Sequence, residues 1–443
     1  MLALDPQRTR RVLTLALPII GGMVSQNVLN LVDTAMVGTL GNAALAAVGL
    51  GGFATFMCQA LILGISTGVQ AMASRRKGEG RLSEAAWPLN AALVLVLLIA
   101  PLLSALLFAL VPAAFPYMNQ DPAVIADGVP YLRIRILAIT FVGMNFAFRG
   151  YWNAIDLSRY YMSTLVLMHL TNIVLNYILI FGKFGAPALG VTGAGLASAI
   201  SMVLGTAIYF YLGNKHARRH GFLHGMPNRH SVMNLVRVSL PSGFQQLFFS
   251  AGFVVTYLII GLVGTRELAA ANVLINLTLV AILPGLGFGL AAATLVGQAV
   301  GRGDIDDASR WAWDVVKVGV LCLALLGIPM WLMPDLILKG FLHDPETLAV
   351  ARLPMRVVGV TMALEGLGLV IMHALLGAGD AKRVMIVAIT SQWLVFLPLV
   401  YLVGPILGFG LIGIWLIQGA YRAGQAAILV RFWRQRKWAG IKL

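Results

Sequence analysis

Charge is what this sequence has least of. Only 11% of its 443 residues are Asp, Glu, Lys or Arg, against about 25% in an ordinary soluble domain. A chain so short of charge cannot cover a water-facing surface, which excludes a freely soluble globular protein. Acids are the scarcer sign, 17 against 32 Lys and Arg. Cysteine is almost missing. Cys58 and Cys322 both sit in apolar runs, too few and too far apart for a disulfide framework or a thiolate metal site. No Walker A sequence, phosphate-cradling loop or zinc spacing occurs, so no ATPase domain is expected and energy would have to come from an ion gradient. No small-residue cleavage site follows the first apolar run, so no removable signal peptide is expected.

What is abundant is apolar length, with 59% of the residues hydrophobic. Runs of 18 or more recur, such as "AALVLVLLIAPLLSALLFALV" at 91–111. Each can cross a bilayer core about 30 Å thick as a helix. The runs are continuous rather than alternating, which favours helices over a barrel. The breaks predict twelve spans, near 12–39, 44–73, 85–112, 124–152, 159–182, 189–213, 235–262, 267–298, 309–333, 346–376, 383–403 and 408–433.

The two halves repeat. "LP" at 17–18 returns at 240–241, and at the same offset Gly38 meets Gly261, Gly41 meets Gly264 and Gly64 meets Gly287. "LAA" at 45–47 and "GEG" at 78–80 meet "LAA" at 268–270 and "GRG" at 301–303. The expected fold is therefore an all-α membrane protein, twelve transmembrane helices in two six-helix bundles. An even number per half makes the repeat parallel, about a pseudo-two-fold axis along the membrane normal. The expected division is an N-terminal lobe 1–213, a linker 214–234 and a C-terminal lobe 235–443.

The formal charge of +15 would suggest nucleic acid for a soluble chain. Here the basic residues fall mostly on one side: Arg8, Arg10 and Arg11, the run Arg75–Lys77, the linker and the last residues. That bias predicts cytoplasmic N- and C-termini and needs no nucleic acid partner. The histidines of the linker "NKHARRHGFLHGMPNRH" are expected in a solvated basic loop rather than a metal site.

Against this background the buried acids stand out. Asp33, in "LNLVDTAMVG", shares one helical face with positions 26, 30 and 37, and its flanks Gln26, Asn27, Asn30 and Thr34 are polar too. An acid that can exchange a proton suits ion coupling; a structural acid paired to a neighbouring helix is the bland alternative. Glu365 lies near the middle of the tenth span without an equivalent in the first half, and either lines a cavity or pairs with a cation such as Arg356. The fifth span carries "HLTNIVLNY", with His169, Asn172 and Asn176 on one face: cavity lining, or interhelical hydrogen bonds. Arg149 is expected to pair with Asp156. Pro18 and Pro284 are candidate hinges. "GISTG" at 64–68 fits G-x-S-x-G, but its helical setting lacks the strand that the hydrolase elbow needs. An intramembrane serine protease pairing Ser66 with His169 or His373 is a remote alternative.

The pattern resembles the multidrug and toxic compound extrusion (MATE) family over essentially the whole chain. The residues that carry it are "LALPIIGGMVSQNVLNLVDTAMVGTLG", "LPSGFQQLFFSAGFVV", "NIVLNYILIFG" and "GVTGAGLAS". The resemblance implies a multi-pass protein, in a bacterial inner membrane, that works as a monomer. It implies export of organic, often cationic compounds against H⁺ or Na⁺, with no resident cofactor or metal. It also implies that Asp33 is the protonation site of the DinF-like branch, that Pro18 bends the first helix, and that Asn172 and Ser198 line the cavity. Asn176 stands where some members carry a second acid. In the other lobe Glu365 matches a carboxylate of the NorM-like branch, while Phe249 or Ser250 replaces its glutamate. Protons are thus favoured over Na⁺. A lipid-linked precursor flippase of the same superfamily is the alternative within transport.

Overall fold

The computed structural model describes residues 5–225 and 227–443, and every regular element among them is helical. The first half holds α1 Pro6–Gly38, α2 Asn42–Gly78, α3 Trp87–Ala114, α4 Pro122–Leu137, α5 Ile139–Ala154, α6 Ser158–Phe181 and α7 Gly190–Leu212. The second holds α8 Arg229–Val263, α9 Thr265–Ala281, α10 Leu283–Gly301, α11 Ile305–Leu332, the short α12 Pro334–Leu338 and α13 Pro345–Gly377. α14 Ala381–Thr390 and α15 Leu397–Tyr401 then alternate with two π-helical stretches, and α16 Gly410–Arg434 closes the fold. Ten of the described helical segments are long and apolar enough to cross a membrane, eleven when the bent pair α4–α5 counts as one. α16 is the twelfth rod, 25 residues long, with Arg422 at its centre. The chain is a multi-pass membrane protein.

Local chemistry sets the breaks. Asp121 caps α4 by accepting from Ala123 N at 2.9 Å, and Asp344 caps α13 by accepting from Thr347 N at 2.9 Å. The predicted fourth span is broken at Ala138 by a 48° bend. The eighth divides at Ile282, where Pro284 falls in the first turn of α10 and has no N–H to lose. The repeat survives in three dimensions: the junction α1–α2 turns at Gly41 and the junction α8–α9 at Gly264.

The chain forms two compact units, Gly21–Gly243 and the remainder, residues up to 20 plus Phe244–Leu443. They part inside α1 and α8 rather than at the 214–234 segment. In the N-terminal unit the first part of α8 packs on α2. A Cβ on Gly64 would stand 2.2 Å from Ser239 O, and one on Gly243 2.4 Å from Leu61 O. In the other unit the first part of α1 takes the matching place, with Ile20 2.3 Å from the Cβ position of Gly287. There Arg8 binds Asp307 at 2.8 Å and Asp314 at 2.5 Å and lies 3.6 Å over the Trp311 ring. Glycine contacts also join α11 to α13 (Gly327 to Gly359) and α13 to α10 (Gly377 to Ala293).

The linker is less solvated than its composition suggests. His220 is buried with Nδ1 2.8 Å from Tyr151 OH, and His216 stacks on Tyr160. Asn90 fastens the segment by donating to Gly221 O at 2.9 Å. Its aromatic and amide partners outweigh its charge. Met226 lies outside the described residues.

Candidate functional site

α6 turns His169, Asn172 and Asn176 to one face, and all three are buried. Two close approaches bring neighbouring helices onto that face. On the α7 side, a Cβ at Gly193 would collide with Leu179 O at 2.5 Å. On the α1 side, Gly22 faces Tyr161 and Leu165, its Cβ position 3.0 and 3.2 Å away. Larger residues at these glycines would force the helices apart and break the polar contacts between them.

The contacts form a relay. Asn176 Nδ2 donates to Asp33 Oδ1 at 2.5 Å and to Asn172 Oδ1 at 2.9 Å. Asn172 Nδ2 donates to Ser198 Oγ at 3.2 Å. Asp33 is half-buried and makes no ion pair among the described residues, although the field of Arg135 reaches it. Asn176 Oδ1 is buried without a hydrogen-bond partner. The relay thus runs from α7 through α6 to one carboxylate on α1, whose direct partner is a neutral amide.

A second cluster lies further toward the N-terminal end of α1. His169 Nδ1 is 2.7 Å from Ser25 Oγ and its Nε2 3.1 Å from Gln26 Oε1. Gln26 Nε2 donates to Asn30 Oδ1 at 3.1 Å. With the Gln26 oxygen turned to the ring, the tautomer protonated on Nε2 satisfies both contacts, donating to Gln26 and accepting the Ser25 hydroxyl at Nδ1. Thr34 joins neither cluster: its hydroxyl donates to Asn30 O, one turn back in its own helix, at 2.7 Å. Asn30 and Thr34 are exposed within their unit.

Glu365 lies in the other unit, and its ion pair is with Arg422 of α16 at 3.1 Å rather than with Arg356. Both line a cavity of about 60 Å³ with Phe249, Phe253, Gln392 and Tyr421. Ser250 returns its hydroxyl to Gln246 O at 2.8 Å, its own helix. Asp156 pairs with Lys77 at 2.7 Å, whereas Arg149 donates through Nε to Ser66 Oγ at 3.1 Å. Ser66 is therefore a buried acceptor for a guanidinium, and His169 serves Ser25 and Gln26 instead. No group of three or more His, Cys, Asp or Glu able to hold a metal ion occurs among the described residues. Ser25 and Arg422 are functional-site residues that periodicity alone does not single out. The signal for Arg422 was present: a lone arginine at the middle of an apolar span.

Comparison with known proteins bears on the family and the fold. The family model described as MatE matches residues 18–178 and again 241–402, so its two copies start at Pro18 and Pro241. A "Probable multidrug resistance protein NorM" of Pseudomonas aeruginosa is 30% identical over 92% of this chain and 85% of its own length. One of the same description from Thermotoga maritima is 26% identical over 98% and 94%. In fold, the chain is similar to a MOP superfamily transporter from Pyrococcus furiosus, with a TM-score of 0.88 and 22% identity over 97% of this chain and 96% of that one. An outward-facing multidrug resistance MATE family transporter gives 0.89 at 21% identity, covering 98% and 97%.

Proposed function

Because the chain belongs to the MatE family, whose members are transporters and not enzymes, we propose that it is a secondary antiporter exporting organic, often cationic compounds in exchange for protons. The observation that carries this reading is the setting of Asp33, whose Oδ1 is held at 2.5 Å by the neutral amide of Asn176. A carboxylate held by a neutral group can change charge without stranding a partner.

The chemistry follows from donors and acceptors. Ionised Asp33 accepts from Asn176 Nδ2. Protonated Asp33 becomes a donor, and Asn176 Oδ1, buried without a partner, is an acceptor that a turn of the amide would present to it. That turn would also change what Asn172 receives, and through it Ser198 on α7. A proton on α1 thereby alters contacts on α6 and α7. Coupling requires that proton and substrate favour different states, and such a rearrangement provides the difference.

The residue set also supports H⁺ over Na⁺, because the relay holds a single carboxylate, with Asn176 where a second acid would be needed to balance a cation. In this reading Asp33 belongs to the DinF-like type. Gln26, Asn30 and Thr34 form the polar wall of α1 along which substrate passes, while Pro18 and Pro284 are the hinges. The protein acts as a monomer in a bacterial inner membrane, with both termini cytoplasmic. The test is efflux of a fluorescent organic cation from proteoliposomes. A pH gradient alone should drive it and a Na⁺ gradient alone should not. Transport with Na⁺ only would overturn the proton reading; transport with neither would overturn export itself.

A further inference from the structure

Glu365 and Arg422 meet between α13 and α16. Thr361, Glu365 and Gly368 share one face of α13; Gly419, Arg422 and Ala426 share the opposing face of α16. A Cβ on Gly419 would lie 3.0 Å from Thr361 Cγ2, and one on Gly368 3.5 Å from Ala426 Cβ. Small residues bracket the pair on both sides, so the helices sit close enough for the 3.1 Å contact between Arg422 Nε and Glu365 Oε1. The guanidinium is fixed further by Gln425 Oε1 at 3.3 Å and by the rings of Tyr421 and Phe249, 5.3 and 5.9 Å away. Gln425 is itself anchored to Ser391 Oγ at 3.1 Å and to Tyr421 OH at 3.3 Å.

A buried carboxylate facing a cavity must be neutralised by a proton, by a diffusible cation or by a fixed cationic side chain. Glu365 is 8% exposed and is the only acid among the residues lining this cavity. The third solution is the one built here. A guanidinium does not lose its proton at any working pH, and Gln425 and the Tyr421 ring hold it beside the carboxylate.

We propose that Arg422 is a tethered counter-ion that occupies the cation position on Glu365, so that the C-terminal cavity loads no Na⁺. The inference deepens the proton-antiport reading, since it takes the carboxylate of the C-terminal cavity out of Na⁺ exchange and leaves coupling to Asp33. It makes Arg422 a specificity-determining residue for the coupling ion. Removing either partner should open a site of the opposite sign: a cation site at Glu365 without Arg422, an anion site at Arg422 without Glu365.

The experiment reads ligand-dependent melting of the purified full-length protein at constant ionic strength. Sodium is exchanged for choline and chloride for gluconate. Wild type should melt at the same temperature in all media. Arg422→Gln should melt about 2 °C or more higher in sodium than in choline, and Glu365→Gln by a similar margin higher in chloride than in gluconate. The double variant Glu365→Gln/Arg422→Gln should respond to neither. A sodium response in wild type that Glu365→Gln removes would overturn the proposal, as would the absence of any new response in both single variants. If one single variant does not fold, the other carries the test. Failure of the Asp33 reading is seen separately, as pH-driven efflux that survives without the Asp33 carboxylate, and leaves these melting shifts unaffected.

Discussion

The Asn176 side-chain amide on α6 donates to Asp33 Oδ1 on α1 at 2.5 Å. The bond joins the least expected residue of the first helix to a residue that sequence spacing had already turned inward. Its consequences can be measured.

Replacing Asn176 by Ala removes the donor to Asp33 and the link to Asn172. Efflux driven by a pH gradient should fall about tenfold, equivalent to roughly 1.4 kcal/mol, the scale of one hydrogen bond to a charged group. Binding of substrate at a fixed pH should fall less. Initial rates and equilibrium dye binding in the same preparation separate the two, and unchanged pH-driven rates would contradict the relay.

Gly64 is where α2 admits the first part of α8. Gly64→Ala should destabilise by about 1–3 kcal/mol, because its Cβ would meet a backbone oxygen that cannot move aside. Gly49, on the same helix, has nothing within 4 Å of its Cβ position. Gly49→Ala should be neutral or stabilising by up to about 1 kcal/mol. Thermal melting in detergent compares them, and equal effects would contradict the close packing of α2 on α8.

Much of this site was legible in the sequence, and the reason is periodicity. Asp33, Asn172 and Asn176 are polar residues at helical spacing within apolar runs, so their inward orientation follows from the helix itself. Ser198 came from the family resemblance and proves to receive Asn172. Thr34 has the same periodicity, yet its hydroxyl bonds its own helix; hydropathy does not distinguish a group facing a partner from one satisfied by its own backbone. Arg422 and Glu365 are far apart in sequence on helices joined by no pattern, so only the packing of α13 on α16 reveals the pair. The division of the units inside α1 and α8 was likewise hidden. The repeat aligns the two helices but does not say which half each end packs against. The 48° bend at Ala138 has no proline at the break to announce it.

Asp344 gives a pH test outside the spans. The Thr347 hydroxyl and amide bind its carboxylate and hold its pKa below the usual aspartate value. A lowered folded pKa gives stability that is present above the unfolded value of about 3.9 and is lost as pH falls through the folded value. Asp344→Ala should therefore melt below wild type at pH 7. The difference should shrink as pH drops below about 4. A difference that stays constant through that range would show that the cap does not depend on the charge.

The central claim is that Asp33 carries the exchanged proton. Its most direct test is Asp33→Asn in proteoliposomes, with proton entry into the lumen and efflux of an organic cation from it recorded together under an imposed pH gradient. The account predicts folded protein that still binds the dye, with neither proton movement nor export. Coupled proton flux and export persisting in that variant would contradict it.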